Sequence, residues 1–303
     1  MPQMSLFQNT HNDRIVNVAS VPQLSPFRYP GGKTWLVPYI RRWLASYVRQ
    51  ELDLHPVRPA HFIEPFAGGG IISLTVAAEK LADHAMMVEI DEDIAAVWQT
   101  IFNEEDGAWL TREMVSFDLT RQNVEALLER TQLTLKEQAF RTLVRNRVNR
   151  GGILAPGAGL IKDGENGKGI RSRWYPATLA TRIQNIVKLR DQITFIAGDG
   201  TGVLEEHLND PDAVFFIDPP YTVAGKKAGT RLYRYSEVDH AALFETASRL
   251  RGDFLMTYDD VWDVRELAAR HDFEVRAIPM KNTHHARNSE LLIGRNLAWT
   301  RFL

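Results

Sequence analysis

The most informative stretch of this sequence is Ala213-Val214-Phe215-Phe216-Ile217-Asp218-Pro219-Pro220-Tyr221. Its first five residues are all apolar, which predicts a strand buried on both faces, as at the centre of a parallel sheet. An acid, two prolines and an aromatic residue follow at the carboxyl end of that strand. Open α/β sheets bind their ligands at the carboxyl ends of the strands, so we expect this turn to line a pocket.

The chemistry of this turn favours a flat ligand that carries an amine. The prolines fix the backbone and donate no N–H, which leaves carbonyl oxygens as acceptors. Asp218 and the carbonyl of Pro219 could accept the two hydrogens of an exocyclic amine such as that of adenine, while Tyr221 stacks on the ring. The alternative is an acidic turn beside a packed tyrosine, which would explain an isolated Asp-Pro pair better than it explains all four residues.

The composition is that of a soluble cytoplasmic protein. The chain has 303 residues, of which 44% are hydrophobic and 24% charged, with a net charge of -2. No apolar run approaches the roughly 18 residues of a membrane span, and the N-terminal residues lack the order of a signal peptide. The absence of cysteine excludes disulfides, thiolate metal sites and a cysteine nucleophile. We expect no metal site and no membrane partner.

The region before residue 103 predicts a nucleotide-binding βαβ unit. A strand at His61–Glu64 is followed by a loop with three glycines and a helix at Ile71–Leu81, and then by a strand at Met86–Asp91 and a helix from Asp93 to Phe102. The loop lacks the G-x-G-x-x-G spacing of dinucleotide folds, which favours a ligand without pyrophosphate, such as S-adenosylmethionine.

Two acids end the second strand of this unit. Glu89 and Asp91 lie on one side of the strand because side chains alternate with a period of two. Either carboxylate could hold ribose hydroxyls, and we favour Glu89; the alternative is a solvated strand end.

The alternation of strands and helices stops at about residue 103 and resumes at about residue 191. We therefore predict a polar extension at 1–24, a catalytic domain formed by 25–102 and 191–303, and an inserted, mostly helical domain at 103–190. The predicted helices of the insert are at 121–130, 136–145 and 176–190. The predicted later strands are Ile193–Ala197, Ala213–Ile217, Phe254–Tyr258 and a closing antiparallel pair, Glu274–Pro279 with Glu290–Ile293.

Positive charge is concentrated in the second half of the insert. Residues 141–190 hold eight arginines and three lysines against two acids, a net charge of +9 in a chain that is nearly neutral. Arginines among asparagines, glycines and aromatic residues suit phosphate contacts and purine edges, so this segment predicts nucleic-acid binding over a merely solvated face. The candidate nucleic-acid contacts are Arg145, Arg147, Arg150, Arg171 and Arg173, with Lys226 and Lys227 after the active-site turn.

Taken in order, these motifs resemble the Dam-like, D12 class of adenine-N6 DNA methyltransferases. The matching stretches are Tyr29-Pro30-Gly31-Gly32-Lys33, Glu64-Pro65-Phe66-Ala67-Gly68-Gly69-Gly70, the Glu89 strand end, Gly198-Asp199 and Asp218-Pro219-Pro220-Tyr221. The resemblance covers roughly residues 25 to 300 and is weakest at 103–150. It implies a Rossmann-like, S-adenosylmethionine-dependent α/β fold with helices on both faces of the sheet, and it implies that the insert recognises the target.

The resemblance also implies roles for individual residues. Asp218 and the Pro219 carbonyl would hold the amine of an adenine flipped out of double-stranded DNA, and Tyr221 would stack on it. Lys33 could meet the carboxylate of the donor, and Asp199 could accept from the donor's adenine amine, although a helix cap is as good an interpretation of Asp199. The implied cofactor contacts are Tyr29, Gly31, Gly32, Lys33, Glu64, Phe66, Gly68, Glu89, Asp91, Asp199 and Asp218.

Other functions remain open from the sequence. They are methylation of adenine in RNA, methylation of the cytosine amine, a catalytically inert DNA-binding regulator of the same fold, and a nicotinamide dehydrogenase. Asp at position 218 favours adenine over cytosine, and the loop spacing disfavours the dehydrogenase. The sequence predicts neither the recognition site nor the oligomeric state, and the enzyme could belong to a restriction-modification pair or act without a cognate restriction endonuclease.

Overall fold

The structure, a computed structural model, describes residues 21–28, 31–47, 58–220, 238–281 and 287–302. Seven strands form one sheet: β1 (His61–Glu64), β2 (His84–Glu89), β3 (Ile193–Ala197), β4 (Ala213–Ile217), β5 (Asp253–Asp259), β6 (Glu274–Lys281) and β7 (Arg287–Gly294). Their order is β3-β2-β1-β4-β5-β7-β6. The first five strands of this order are parallel, and β7 pairs antiparallel with both β5 and β6.

Ten α-helices surround the sheet in the described residues. They are α1 (Val37–Ala45), α2 (Ile71–Glu79), α3 (Glu92–Phe102), α4 (Glu104–Ser116), α5 (Arg121–Glu129), α6 (Leu135–Val148), α7 (Pro176–Val187), α8 (Gly200–Glu206), α9 (His240–Arg249) and α10 (Trp262–Arg270). A short 3-10 turn, Lys33–Leu36, leads into α1.

Each face of the sheet is covered by its own set of helices. Phe216 and its neighbours at alternate strand positions pack with α1, α2 and α3, whereas Phe215 and the intervening positions pack with α8, α9 and α10. This division follows from the two-residue period of a strand. The central strand β4 is buried at all five positions, as its continuous apolar run predicts. The predicted α/β fold with helices on both faces is confirmed.

Helices α4 to α7 occupy the chain between α3 and β3. Both α4 and α6 pack against α3, and α7 packs against α4. The segment is therefore mostly helical, as expected, and it rests on one of the helices that cover the sheet. The division of the chain into domains at residues 103 and 190 stays a prediction.

The chain changes direction across the sheet between β1 and β4. From β1 it proceeds outward to β2 and β3, and it then returns to place β4 on the other side of β1. A crevice forms at such a switch point because the loops after the two neighbouring strands lead to opposite sides of the sheet. The residues after β1 and β4 therefore face each other across this crevice.

None of the helices in the described part of the chain combines the length and the hydrophobicity that a membrane-spanning helix needs.

Candidate active site

A cavity of about 930 Å³ opens at the carboxyl ends of β1 to β4. Its walls include the residues that follow each of these strands: the glycine loop after β1, Glu89 to Asp91 after β2, Asp199 to Thr201 after β3, and Asp218 to Pro220 after β4. The cavity thus lies at the switch point of the sheet, where the sequence predicted a ligand pocket.

The glycine loop is held in place by backbone contacts on both sides. Gly68 N donates to Oε2 of Glu89 at 2.8 Å, and its carbonyl accepts from Nε1 of Trp98 at 3.0 Å. Gly70 has a φ of 63° and begins α2; a Cβ there would lie 2.4 Å from the Cε of Met87. Glycine is required at this position both by the left-handed backbone and by the close packing beneath it.

Glu64 is buried at the end of β1 and fixes the start of α2. Its Oε2 accepts from the backbone N of Ser73 at 3.0 Å and from the hydroxyl of the same serine. The pKa of Glu64 is raised to about 8, mainly by burial. The charges of Asp218 and Glu89 contribute to this rise, and the two hydrogen bonds from Ser73 oppose it. This carboxyl group ties the glycine loop to the helix behind it.

The two acids after β2 are used differently. Glu89 accepts from the backbone N–H groups of Gly68 and Asp91, each at 2.8 Å, and burial raises its pKa to about 7. Asp91 caps α3, accepting from the N–H groups of Asp93 and Ile94. Both line the cavity. Each oxygen of Glu89 accepts one backbone hydrogen, whereas both capping bonds of Asp91 go to Oδ1. The preference for Glu89 as the ribose acceptor stays a prediction.

The turn after β3 approaches the loop after β1 closely. Asp199 caps α8 by accepting from the N and the hydroxyl of Thr201, at 3.0 and 2.6 Å, and its exposed carboxylate lines the cavity. The helix-cap interpretation of Asp199 is confirmed. A Cβ on the next residue, Gly200, would lie 1.9 Å from the carbonyl oxygen of Pro65. Only glycine lets these two walls of the cavity meet.

Asp218 stands at the mouth of the crevice and is held by two donors. The Nζ of Lys33 lies 3.0 Å from its Oδ1, and the hydroxyl of Thr257 donates to the same oxygen at 2.7 Å. The Lys33 ammonium also lies 2.6 Å from Oε1 of Glu290, which is buried on β7. One ammonium is therefore paired with two carboxylates. The contacts bring together the 3-10 turn that carries Lys33, the turn after β4, and the strands β5 and β7.

The arrangement of sheet, glycine loop and acidic turn matches one known family over most of the chain. The model of the D12 class N6 adenine-specific DNA methyltransferases matches residues 29–281. The chain belongs to this family. The sheet is accordingly the Rossmann-like sheet of a methyltransferase, and the resemblance found from the motifs is confirmed.

More distant similarities add little. None of the curated proteins matches this sequence. Among solved structures, an uncharacterized protein from Listeria monocytogenes serotype 4b is 10% identical, with a TM-score of 0.36, over 85% of this chain and 67% of that one. The rRNA methyltransferase aviRa from Streptomyces viridochromogenes is 13% identical, with a TM-score of 0.39, over 88% of this chain and 86% of that one. Scores this low give no information about substrate.

The structure brings most of the predicted cofactor residues of this family member to one cavity. Those that line it are Gly31, Gly32, Lys33, Glu64, Phe66, Gly68, Glu89, Asp91, Asp199 and Asp218, together with Pro219. Tyr29 and Tyr221 lie outside the described residues. Lys33 differs from expectation in its contacts, because its ammonium is paired with Asp218 and Glu290.

The predicted nucleic-acid contacts differ in exposure and in the partners they have within the protein, and their role stays a prediction. Arg145 pairs with Asp93 at 3.1 Å and donates to the carbonyl of Leu154, so it joins α6 to α3. Arg147 is only 5% exposed and donates to the carbonyl of Pro26. Arg145 is half-buried, and Arg147 is buried but lines the cavity.

The remaining candidates are closer to the prediction. Arg150 and Arg171 are exposed, and Arg171 donates to the carbonyl of Leu119 at 2.9 Å. Arg173 is half-buried and lines the main cavity. Lys226 and Lys227 lie outside the described residues.

Three residues of the site were missed from the sequence. Glu290 and Thr257 reach Lys33 and Asp218 from neighbouring strands, and no local pattern marks such a contact. Ile90 is 45% exposed at the cavity wall, between the two acids after β2. An apolar residue flanked by two acids at a strand end is a signal that could have found Ile90 as a surface for a flat ring.

Proposed function

We propose that this chain is a site-specific DNA adenine methyltransferase that moves a methyl group from S-adenosylmethionine to the exocyclic amine of a flipped adenine. Family membership supports methyl transfer. The observation that carries the finer assignment is Asp218, held by Lys33 and Thr257 at the edge of a cavity whose other walls are the glycine loop and Glu89.

The cavity fits the proposed donor in size and in chemistry. At about 930 Å³ it has room for an adenosyl group and a second base, since drug-sized ligands occupy pockets of about 300–1,000 Å³. Glu89 would accept the ribose hydroxyls, Phe66 and Ile90 would flank the purine, and Asp199 would accept from its amine. When bound, S-adenosylmethionine supplies a methyl group activated by the neighbouring sulfonium charge.

Asp218 suits the target amine as a hydrogen-bond acceptor. The lone pair of that amine is delocalised into the purine ring, which makes it a poor nucleophile. A carboxylate oxygen and the Pro219 carbonyl that accept its two hydrogens would return electron density to nitrogen as the new bond forms. Lys33 and Thr257 restrain the Asp218 carboxylate by contacting its Oδ1, and this carboxylate would accept from the amine. Holding the amine nitrogen in line with the transferred methyl group is a large part of the catalytic effect.

DNA as the substrate follows from the family and from the charge distribution. Residues 141–190 carry a net charge of +9. Arg150, Arg171 and Arg173 lie outside or at the rim of the cavity and would contact phosphates. A base inside a duplex cannot reach Asp218 at the strand end, so the target must flip. Tyr221 would stack on it, a contact worth about 1–3 kcal/mol.

The decisive experiment is methylation of plasmid DNA with labelled S-adenosylmethionine, followed by nucleoside analysis and modification-sensitive sequencing. We expect N6-methyladenine at one short sequence. Transfer RNA and ribosomal RNA serve as parallel substrates. Methyl groups found only on RNA, or on the cytosine amine, would replace this proposal by one of its alternatives. The pattern of modified sites would also define the motif that a cognate restriction endonuclease, if one exists, must share.

The Asp218→Asn variant tests the role of the acceptor. We expect turnover to fall by at least about 100-fold, because the amide presents a donor in place of an acceptor. Binding of S-adenosylhomocysteine should stay within a few-fold of that of the unsubstituted protein. Asp263→Asn, at an exposed position on α10, is the matched control. Near-normal methylation by Asp218→Asn would contradict the mechanism.

A further inference from the structure

Two arginines that form no ion pair with any described carboxylate contact the N-terminal segment at the cavity wall. Arg147, at the end of α6, donates to the carbonyl of Pro26, and Arg182, on α7, donates to the carbonyl of Ser25 at 3.2 Å. Both line the cavity. Ser25 in turn donates through its hydroxyl to the carbonyl of Gly69 at 2.5 Å, which places these arginines next to the glycine loop.

The charges of these two arginines are not neutralised within the described part of the chain. No carboxylate there forms an ion pair with Arg147 or Arg182, whereas the neighbouring Arg145 pairs with Asp93. The Nε of Arg147 is buried and makes no hydrogen bond to any described group. A buried cation without a counter-charge is costly, so a structure that keeps one commonly uses it to bind an anion.

Cationic side chains lie close together at this wall. The pKa of Arg147 is lowered to about 9, chiefly by burial and in smaller part by the charges of Arg182 and Arg28. Arg28 and Arg173 line the same cavity. Glu89 and Asp218 also line the cavity, which therefore contains acidic as well as basic groups.

We propose that Arg147 and Arg182, together with Arg28, form an oxyanion subsite in the basic wall of the cavity. Planar guanidinium groups match carboxylate and phosphate oxygens in pairs, which suits them to this task. Two ligands of the proposed reaction carry such a group: the amino-acid carboxylate of the methyl donor and a phosphodiester of the DNA strand. The subsite itself follows from the arginines, and only the choice between these two sources rests on the proposed function.

The first test uses sulfate as the probe and does not depend on any reaction. Thermal unfolding is measured in sodium sulfate and in sodium chloride at equal ionic strength. At a sulfate concentration several times its dissociation constant, we expect sulfate to raise the Tm of the unsubstituted protein by roughly 2–4 °C more than it raises that of Arg182→Gln. Arg28→Gln should show the same loss, which keeps the test valid if one variant does not fold. Arg112→Gln, at an exposed position on α4, is the matched control and should keep the full shift.

The second test identifies the source of the oxyanion. If the donor carboxylate binds here, Arg182→Gln should weaken S-adenosylhomocysteine by about tenfold and leave 5′-methylthioadenosine, which lacks the carboxylate, unchanged. If a DNA phosphate binds here, Arg182→Gln should reduce the slope of log DNA-binding constant against log salt concentration by about 1. The affinity for S-adenosylhomocysteine should then be unchanged.

The outcomes separate this inference from the proposed function. Equal sulfate shifts in the unsubstituted protein, Arg182→Gln and Arg28→Gln would overturn the subsite, whatever the enzyme methylates. A shift that is lost in both variants of a protein that methylates no nucleic acid would support the subsite and overturn the proposed function.

Discussion

The ammonium of Lys33 lies 3.0 Å from Oδ1 of Asp218, and this contact joins the N-terminal glycine motif to the acidic turn of the active site. Glu290 lies 2.6 Å from the same ammonium. The lysine and Glu290 side chains are 6% and 4% exposed, whereas the Arg41–Glu79 pair, also at 2.6 Å, is 37% and 33% exposed. The protein thus contains two ion pairs of equal length that differ in burial.

Replacing Lys33 should therefore destabilise the fold far more than replacing Arg41. Lys33→Met leaves two carboxylates close together without their shared cation, which we expect to cost about 3–5 kcal/mol of unfolding free energy. Arg41→Met breaks an exposed pair and should cost less than about 1 kcal/mol. Urea unfolding measures both values. Equal losses would show that burial of the Lys33 pair has no energetic weight.

Glu290→Gln tests whether Glu290 positions Lys33 and, through it, Asp218. Without the Glu290 carboxylate, the Lys33 ammonium is attracted to Asp218 alone. We expect this to displace the Asp218 carboxylate, which is the proposed acceptor of the amine. We expect kcat to fall roughly 10–100-fold, with affinity for S-adenosylhomocysteine within about twofold of the unsubstituted value. Glu266→Gln, on the surface of α10, is the control. A purely structural role would lower the Tm and leave kcat of the folded fraction unchanged.

The buried carboxyl of Glu64 predicts a pH-dependent stability. Burial raises its pKa from 4.5 to about 8, so the folded protein retains a proton that the unfolded chain releases. The stabilisation that Glu64 contributes to the folded state is fully present below about pH 4.5 and is lost as the pH rises towards 8. Within that window one such group accounts for a slope of about 1.4 kcal/mol per pH unit.

Glu64→Gln should flatten this slope, because the amide does not titrate and can still accept from Ser73. Glu129→Gln, at an exposed position on α5, should leave the slope unchanged. Denaturant unfolding between pH 5 and 8 measures the difference. A slope that is identical in Glu64→Gln and the unsubstituted protein would show that Glu64 does not titrate in this range.

Two glycines of α8 offer a matched pair. A Cβ at Gly200 would lie 1.9 Å from the Pro65 carbonyl, whereas a Cβ at Gly202 would meet nothing within 4 Å. We expect Gly200→Ala to cost about 1–3 kcal/mol and to weaken S-adenosylhomocysteine binding, because the two cavity walls must separate. Gly202→Ala should be neutral or stabilising by up to about 1 kcal/mol, since alanine favours a helix. Thermal unfolding and calorimetry check both variants.

The exposed arginines of the helical insert should contribute to DNA affinity through phosphates. Arg150→Ala and Arg171→Ala are each expected to reduce the slope of log K against log salt by about 1, without changing S-adenosylhomocysteine affinity. Arg270→Ala, on α10 and paired with Glu266, is the control. Unchanged slopes in both variants would remove this face of the insert from the DNA interface.

Much of the central sheet could be predicted from local patterns. The strand at 61–64, the fully buried strand at 213–217 and the antiparallel pair formed by β6 and β7 all follow from apolar runs and their flanking turns. The apolar stretch from Trp35 to Ile40 predicts α1, but α4, α8, α9 and α10 were not predicted. One of them, α4, contains Gly107, and glycine is unfavourable in a helix by about 1 kcal/mol. A Cβ there would lie 3.0 Å from Val187 on α7 and from the carbonyl oxygen of Ile101, which is closer than ordinary contact.

The roles of the site residues divide in the same way. The position of Asp218 at the end of a buried strand follows from the sequence, and so does the glycine loop. The contacts of Arg145 with Asp93 and of Arg147 with Pro26 do not, because sequence spacing says nothing about which neighbour a helix face meets.

The sequence by itself determined the alternating α/β order, the motifs at the strand ends and therefore the family. These features depend on local periodicity and on the backbone preferences of glycine and proline, which a short stretch carries with it. The tertiary structure decided which charges meet: Lys33 with Asp218 and Glu290, and Arg147 beside Arg182. Such contacts join distant parts of the chain, and burial sets their strength, so both appear only when the sheet and its helices are assembled.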